Sequence, residues 1–399
     1  MKIVFAHDHR FISTNGAVYS ENHFGAGFWD RFLGEFDRLT VLGREATLPT
    51  GRELADLTLS SRAEVDFALL PNVSSARGWL FARRRVAARI SEIVARHDAV
   101  VARLPSEIGL MALSAARTLG IPSAIEVVGC GYDVYAHYGS RLGAVYAPLA
   151  RHRMRHALGQ ATHAIYVTKE FLQHRYPAPR AMTEIASNVE LVGADPKVLD
   201  RRIERIGRAD DAGRPLTLGL VGSLRTRTKG IQVALRALAD RRAALPPFRF
   251  RVLGGGDRAE WRAEAAALGL ADVVSFDGSL SDPRKVLSWL DEVDIYLQPS
   301  LQEGLPRALL EAMSRGCPAL GSELAGIPEL LDRADLSPPG DHAALGDLLL
   351  RRVGDRSWMA ARAARNFRVA RDYEQPILDA RRSRFWRAFA EHVRNRSSH

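Results

Sequence analysis

The stretch VDIYLQPSLQEGLPRALLEAMSRGCPALGSELAGIPELL, residues 293–331, decides the fold. Its opening VDIYLQPS is a short apolar run ending in Pro and Ser, the pattern of a buried parallel strand that enters a loop. Pro306 suits a first helical turn, Leu309, Leu310 and Met313 make one apolar face, and Gly316 with Pro318 ends the helix. Glu303 therefore falls in the loop at the carboxyl end of a strand, where open α/β sheets bind ligands. Glu311 falls about a turn and a half into the helix, so the two carboxylates reach different parts of one ligand. Arg307 and Glu311 also stand four apart, and such a pair equally decorates a solvated helix face for a few tenths of a kcal/mol.

Outward from this stretch the same alternation repeats. The second half reads as strand LTLGLVG (216–222), a helix after Lys229, strand FRFRVLGGG (248–256), a helix through AEWRAEAAALG, strand VVSFDG (273–278), a further helix and then the strand above. The first half begins with strand KIVFAHD, a loop around Asn15 and Gly16, a helix-like FWDRFLGEF (28–36) and strand RLTVLGR (38–44). Further strands fall at 99–105, 123–129 and 163–168, with helical segments between. The expectation is an α/β chain of two Rossmann-like domains, each a parallel sheet covered on both faces. The polar, turn-rich 195–215 reads as the linker between a domain over 1–194 and a second over 216–375.

The segment 299–331 resembles the donor-binding signature of the retaining GT-B glycosyltransferases of family 4, two Glu separated by seven residues. The Gly-Leu-Pro after Glu303, the Glu-Ala-Met at Glu311, the Gly-x-Pro at Gly316 and the later Gly-Ile-Pro-Glu-Leu carry the likeness. The resemblance implies a GT-B fold, with two Rossmann-like domains facing across a cleft and a final helix, residues 376–399, returning to the N-terminal domain. It implies Glu303 against the donor sugar, Glu311 on the nucleotide ribose, and Gly304, Leu305 and Pro306 lining the same donor.

Departure of a nucleoside diphosphate leaves growing negative charge, which calls for fixed cations and backbone donors. VGSLRTRTKG, residues 221–230, follows a strand and precedes a helix, so its basic residues lie beside a positive helix N-terminus. The family pattern there is Gly-Arg, five residues, then Lys-Gly. Lys229 and Gly230 match it, Ser223 stands where the Arg belongs, and Arg225 or Arg227 is left to substitute. Resemblance also implies a nucleotide base near Gly254 and the turn of Ser275 to Gly278, including Phe276, and a backbone amide from Gly16 at the donor phosphate. In the first half, 125–140 and 166–191 look like segments of bacterial capsule and exopolysaccharide glycosyltransferases. Glu126, Asp133 and His137 there are candidates to hydrogen-bond acceptor or donor hydroxyls, though single loop residues of these types are commonly structural.

Together these imply a retaining hexosyltransferase-type enzyme that moves a sugar from a UDP- or GDP-linked donor to a hydroxyl of a glycan acceptor, expected to be lipid-linked, in surface polysaccharide biosynthesis. A nucleotide-sugar epimerase or a phosphorylase on the same fold is the alternative within enzymes. No Asp-x-Asp stands in the sequence, so the expectation is no metal and no cofactor, with cationic side chains in place of an ion.

Length and composition fit this reading without selecting it. The 399 residues suffice for two domains, 46% are apolar, and the formal net charge is +10. Such a charge admits nucleic acid, acidic lipid or phosphorylated substrates as partners. A non-catalytic nucleic-acid-binding protein is the alternative outside enzymes, but no aromatic-basic module supports it. No run reaches eighteen apolar residues, and MKIVFAHDHRF lacks a signal-peptide core, so a cytoplasmic protein is expected. The amphipathic ARGWLFARRRVAARISEIVARH (76–97) suits a helix on a sheet, or peripheral contact with the inner face of the cytoplasmic membrane. Cys130 and Cys317 match no metal or redox spacing and read as buried free thiols.

Overall fold

The computed structural model describes residues 1–21, 24–48, 53–54, 57–71, 82–136, 141–191, 195–208, 214–280 and 282–397. The chain forms two compact units, Met1–Ala186 with Asp379–His399, and Ser187–Leu378. Both described cysteines are buried and unbridged.

Among its described residues unit one holds nine strands: β1 Lys2–Thr14, β2 Ala17–Ser20, β3 Arg38–Ala46, β4 Thr58–Leu59, β5 Val65–Leu70, β6 Ala99–Leu104, β7 Ser123–Val127, β8 His163–Tyr166 and β9 Met182–Ile185. The parallel body runs β5-β3-β1-β6-β7-β8-β9, so the strand order reverses between β1 and β6. Continuous apolar runs dictate this, since Ile3, Val4, Phe5, Val100 and Val101 are wholly buried between helices on both faces. One face packs on helices Arg83–Val94 and Glu107–Leu119 through Val86, Ile90, Ile108 and Ala112. On the C-terminal helix Gln375–Ser397, Trp386 meets Phe32 at 4.9 Å between ring centroids and Phe389 meets Phe36 at 6.1 Å. Burying each such ring contributes about 1.5–3 kcal/mol, so this helix is part of the core of unit one.

Two features depart from the expected pattern. The strand that begins KIVFAHD does not turn into a helix at Asn15 and Gly16. It continues to Thr14 and folds back as an antiparallel hairpin with β2, pairing Thr14 with Ala17. Asn15 and Gly16 take φ values of 51° and 74°, and Asn-Gly supplies the positive φ that a two-residue hairpin turn needs. FWDRFLGEF is also shorter than expected, a 3₁₀ turn followed by helix Asp30–Leu33.

Unit two holds β10 Leu216–Val221, β11 Phe248–Leu253, β12 Val274–Gly278, β13 Ile295–Gln298, β14 Ala319–Ser322 and β15 Leu336–Ser337, all parallel in the order β12-β11-β10-β13-β14-β15. The order reverses between β10 and β13. The segment 195–215 contains helix Pro196–Gly207, opened by Asp195 as N-cap with Pro196 in the first turn. Its Arg202, 4% exposed, donates to the carbonyls of Leu290, Val293 and Arg315. What reads as a polar linker is thus a helix clamped onto unit two. The polarity misleads because one buried guanidinium satisfies several loop carbonyls at once.

Candidate active site

The reversal of strand order in unit two brings together the loops that follow β10 and β13, the place where such sheets hold ligands. Lys229 lies at the end of the first loop and Glu303 in the second, and Lys229 Nζ donates to Glu303 Oε1 at 2.7 Å. The loops are joined by their backbones as well. Leu301 N donates to Thr228 O at 2.7 Å, and a Cβ on Gly230 would sit 1.8 Å from the Pro299 carbonyl oxygen. Gly230 also takes φ 73°, so only glycine permits both the turn and this approach. The glycine-rich turn after β11 supports the basic loop from behind. A Cβ on Gly254 would meet Gly222 O at 1.8 Å, and Leu224 N donates to Gly255 O.

Glu303 is held in place by more than Lys229. Gln298 Nε2 donates to its Oε1 at 3.0 Å and Ser300 Oγ at 2.8 Å, while Tyr296 OH donates to Gln298 Oε1 at 3.1 Å. All three donors to Glu303 share one carboxylate oxygen, and among the described residues Oε2 accepts none. With a side chain 7% exposed, this carboxylate is fixed in direction and keeps one oxygen for a ligand. Sequence reading missed Gln298 and Ser300. Their signal was present, because two polar residues closing a buried strand must find buried partners.

Glu311 stands on helix Arg307–Ser314. Burial pushes its carboxyl above the usual range; the Arg307 charge opposes the shift and Glu190 adds to it. Among the described residues its carboxylate accepts no hydrogen bond. A half-buried acceptor with no donor among the described residues can accept from a ligand's hydroxyls. Arg307 is exposed whereas Glu311 is half-buried, so the two do not share one fully solvated face.

The backbone adds donors. Pro306 and Gly230 cap helices Arg307–Ser314 and Ile231–Arg241 without a side-chain hydrogen bond, so the first N–H groups lack a capping side chain. Gly304 is braced by Gly326 N, which donates to its carbonyl at 2.9 Å, and Leu305 is buried at 8% exposure. The Gly-Ile-Pro turn after β14 therefore shapes the Gly-Leu-Pro loop.

Other expected donor residues are dispersed. Ser223 is exposed and its hydroxyl accepts from Arg225 N at 3.2 Å. Arg227 is committed to helix Ala259–Ala267, donating to Glu260 at 2.9 Å and Glu264 at 2.8 Å with its guanidinium over Trp261. Arg225, also exposed, remains on the loop. Phe276 does not lie in a turn; it is a β12 residue, 5% exposed, packed in the core of unit two. Its alternation with Ser275 and Asp277 sends the ring inward. Gly16, in the hairpin turn of unit one, lies on no strand-to-helix loop.

In unit one, Glu126 and Asp133 are buried and paired, Glu126 with Arg103 at 2.8 Å and Asp133 with Arg175 at 3.2 Å. His137 lies outside the described residues, as does the 76–81 part of the amphipathic segment. Helix Arg83–Val94 buries Val86, Ile90 and Ile93 and exposes Arg84, Arg85 and Arg89, as a sheet-covering helix does. No group of three or more metal-ligating residues occurs among the described residues. No described helix is long and apolar enough to cross a membrane.

With this geometry in view, the likenesses to known proteins are informative. Residues 215–355 match the family model of the glycosyl transferases group 1. Protein CapJ of Staphylococcus aureus is 26% identical over 357 residues, 88% of this chain and 86% of that protein. The amylovoran biosynthesis glycosyltransferase AmsK of Erwinia amylovora is 34% identical over 174 residues, 41% of each. Among solved structures, sucrose-phosphate synthase from Thermosynechococcus elongatus superposes with TM-score 0.65 at 17% identity, over 98% of this chain and 100% of that one. HepE of Anabaena, in complex with UDP, superposes with TM-score 0.59 at 18% identity over the full length of both. The chain has the GT-B fold, its relatives include an amylovoran biosynthesis glycosyltransferase, and its residues 215–355 match the glycosyl transferases group 1.

Proposed function

We propose that this protein is a retaining glycosyltransferase of family 4, which moves a sugar from a nucleotide-diphosphate donor to a hydroxyl of a glycan acceptor in surface polysaccharide biosynthesis. The observation that carries the reading is the meeting of Lys229 and Glu303 at the strand-order reversal of a glycosyl transferases group 1 domain, with Glu311 on the helix that opens there. The neighbour HepE is described in complex with UDP and with UDP-glucose, which favours a UDP-linked donor here.

Each residue then has a task. Glu311 accepts from the ribose hydroxyls, which supply donors to its half-buried carboxylate. Lys229 and the uncapped helix N-termini stabilise the diphosphate as charge builds on it, a contribution worth several kcal/mol in a site of low dielectric. Glu303 Oε2 orients the sugar by accepting from one of its hydroxyls. Arg225 replaces the arginine missing at Ser223.

The acceptor hydroxyl attacks from the face the diphosphate leaves, and the leaving phosphate takes its proton. The anomeric configuration is thereby retained without a protein nucleophile. Cationic side chains make a divalent ion unnecessary, so chelators should leave turnover unchanged. The acceptor is lipid-linked and the protein works on the cytoplasmic side, where nucleotide sugars are made.

The reading is tested by protection against heat denaturation with a panel of UDP- and GDP-sugars, followed by NMR of the product anomer. An inverted product would remove the mechanism, and absence of protection by every donor would remove the site.

A further inference from the structure

Helix Arg141–Gly159 has two apolar faces where a sheet-covering helix needs one. Ala147, Ala150, Met154 and Leu158 are buried, between 0% and 4% exposed, and form the face that packs into unit one. On the opposite side Leu142, Val145 and Leu149 are 70%, 80% and 47% exposed. Their spacing of three and four residues aligns them in a single ridge. Two further turns continue the ridge as His152 and His156, both exposed.

Those histidines open onto a groove of about 900 Å³ that Arg83, Arg117 and Arg396 also line, with no Asp or Glu among its described residues. Arg117 is presented there by Gln160, whose Oε1 accepts from its Nη1 at 2.8 Å. Charge is distributed in the same sense over the whole chain. Unit one contains 28 Lys and Arg against 19 Asp and Glu, whereas unit two contains 28 against 27, so nine of the ten excess charges lie in unit one.

We infer that this ridge and groove dock unit one on an anionic phospholipid bilayer, with Leu142, Val145 and Leu149 entering the acyl boundary and the basic groove lying at the level of the phosphates. A convex apolar ridge beside a groove lined by arginines is the pattern of an interfacial helix, for which buried apolar area and lipid charge act together. A second copy of the chain is a poor occupant, because a two-fold contact sets the cationic groove against itself. The inference stands on unit one and does not depend on the donor site.

The test is co-sedimentation of the whole protein with vesicles of phosphatidylcholine alone or mixed with phosphatidylglycerol. Binding is expected to the mixed vesicles and to weaken steeply with salt. The Leu142→Gln/Val145→Gln/Leu149→Gln variant should bind them at least tenfold less with an unchanged melting temperature, and Arg117→Glu severalfold less. Val145→Glu alone, at the most exposed position, serves if the triple variant does not fold, and it too should lose binding. No association with mixed vesicles at low salt would overturn the inference. So would equal binding by the apolar variants, or a dimer that those variants turn into monomer.

Discussion

The two units reverse their strand order in the same way, yet they fill the reversal differently. Between β1 and β6 of unit one, the N–H groups of Glu107 and Ile108 that open helix Glu107–Leu119 donate to the Asp8 carboxylate at 2.7 and 3.2 Å, and Gly109 N donates to Ser106 Oγ. Glu107 is itself closed off by Arg153 and Tyr146. Between β10 and β13 of unit two the helices begin at Gly230 and Pro306 with no capping side chain, a lysine stands across from a glutamate, and a second glutamate accepts no hydrogen bond among the described residues. A doubly wound sheet offers an anion seat at each reversal. Unit one occupies its seat with its own carboxylate, whereas in unit two the proposed occupant is the donor's diphosphate.

The contrast can be broken from either side. The largest effect is expected at Lys229. Lys229→Ala should lower turnover by roughly 10²–10³-fold, as steady-state kinetics will show, because it removes the fixed charge opposite the leaving diphosphate. Next comes Glu126→Gln, which strands the nearly buried Arg103. Equilibrium denaturation should register a loss of about 3 kcal/mol, while protection of the folded variant by nucleotide sugar remains that of the parent. Asp8→Ala should lose about 1–2 kcal/mol through its helix cap and create no second donor site, which titration calorimetry would count.

A subtler effect concerns pH. Burial raises the Glu311 carboxyl above its unfolded value, so the ionised form costs stability as pH rises above the ordinary carboxyl range near about 4.3. Glu311→Gln should therefore melt no lower than the parent at neutral pH, with any advantage vanishing toward pH 4, while losing donor protection. Smallest is the arginine pair. Arg225→Ala should weaken donor binding about tenfold and Arg227→Ala by no more than about threefold, since Glu260 and Glu264 already hold Arg227.

What was legible in the sequence follows from what sequence encodes locally. The apolar runs of β10 and β13 and the alternation of β11 are legible as strands, and Glu303, Gly304 and Pro306 follow from where β13 ends, whereas β14, four residues long, shows too little periodicity to be read. Gly16 was misplaced although the Asn-Gly pair states a hairpin, because strand β1 outruns its partner β6 and only the three-dimensional pairing reveals the extra length. Phe276 was misplaced by reading a strand as a turn, when its alternation with Asp277 already sent it inward. Asp8 as a cap for a helix about a hundred residues away, and Arg202 beneath the second sheet, rest on tertiary contacts that no periodicity records. Ser223 stands where the family pattern has an arginine, and its hydroxyl accepts from Arg225 N.

The central claim is that Lys229, Glu303 and Glu311 hold one nucleotide sugar, and thermal denaturation of the parent, Lys229→Ala and Glu311→Gln with UDP- and GDP-sugars tests it most directly. The parent's melting temperature should rise with at least one donor, and that of either variant should rise little or not at all. Equal stabilisation of all three proteins, or none in the parent with any donor, would contradict it.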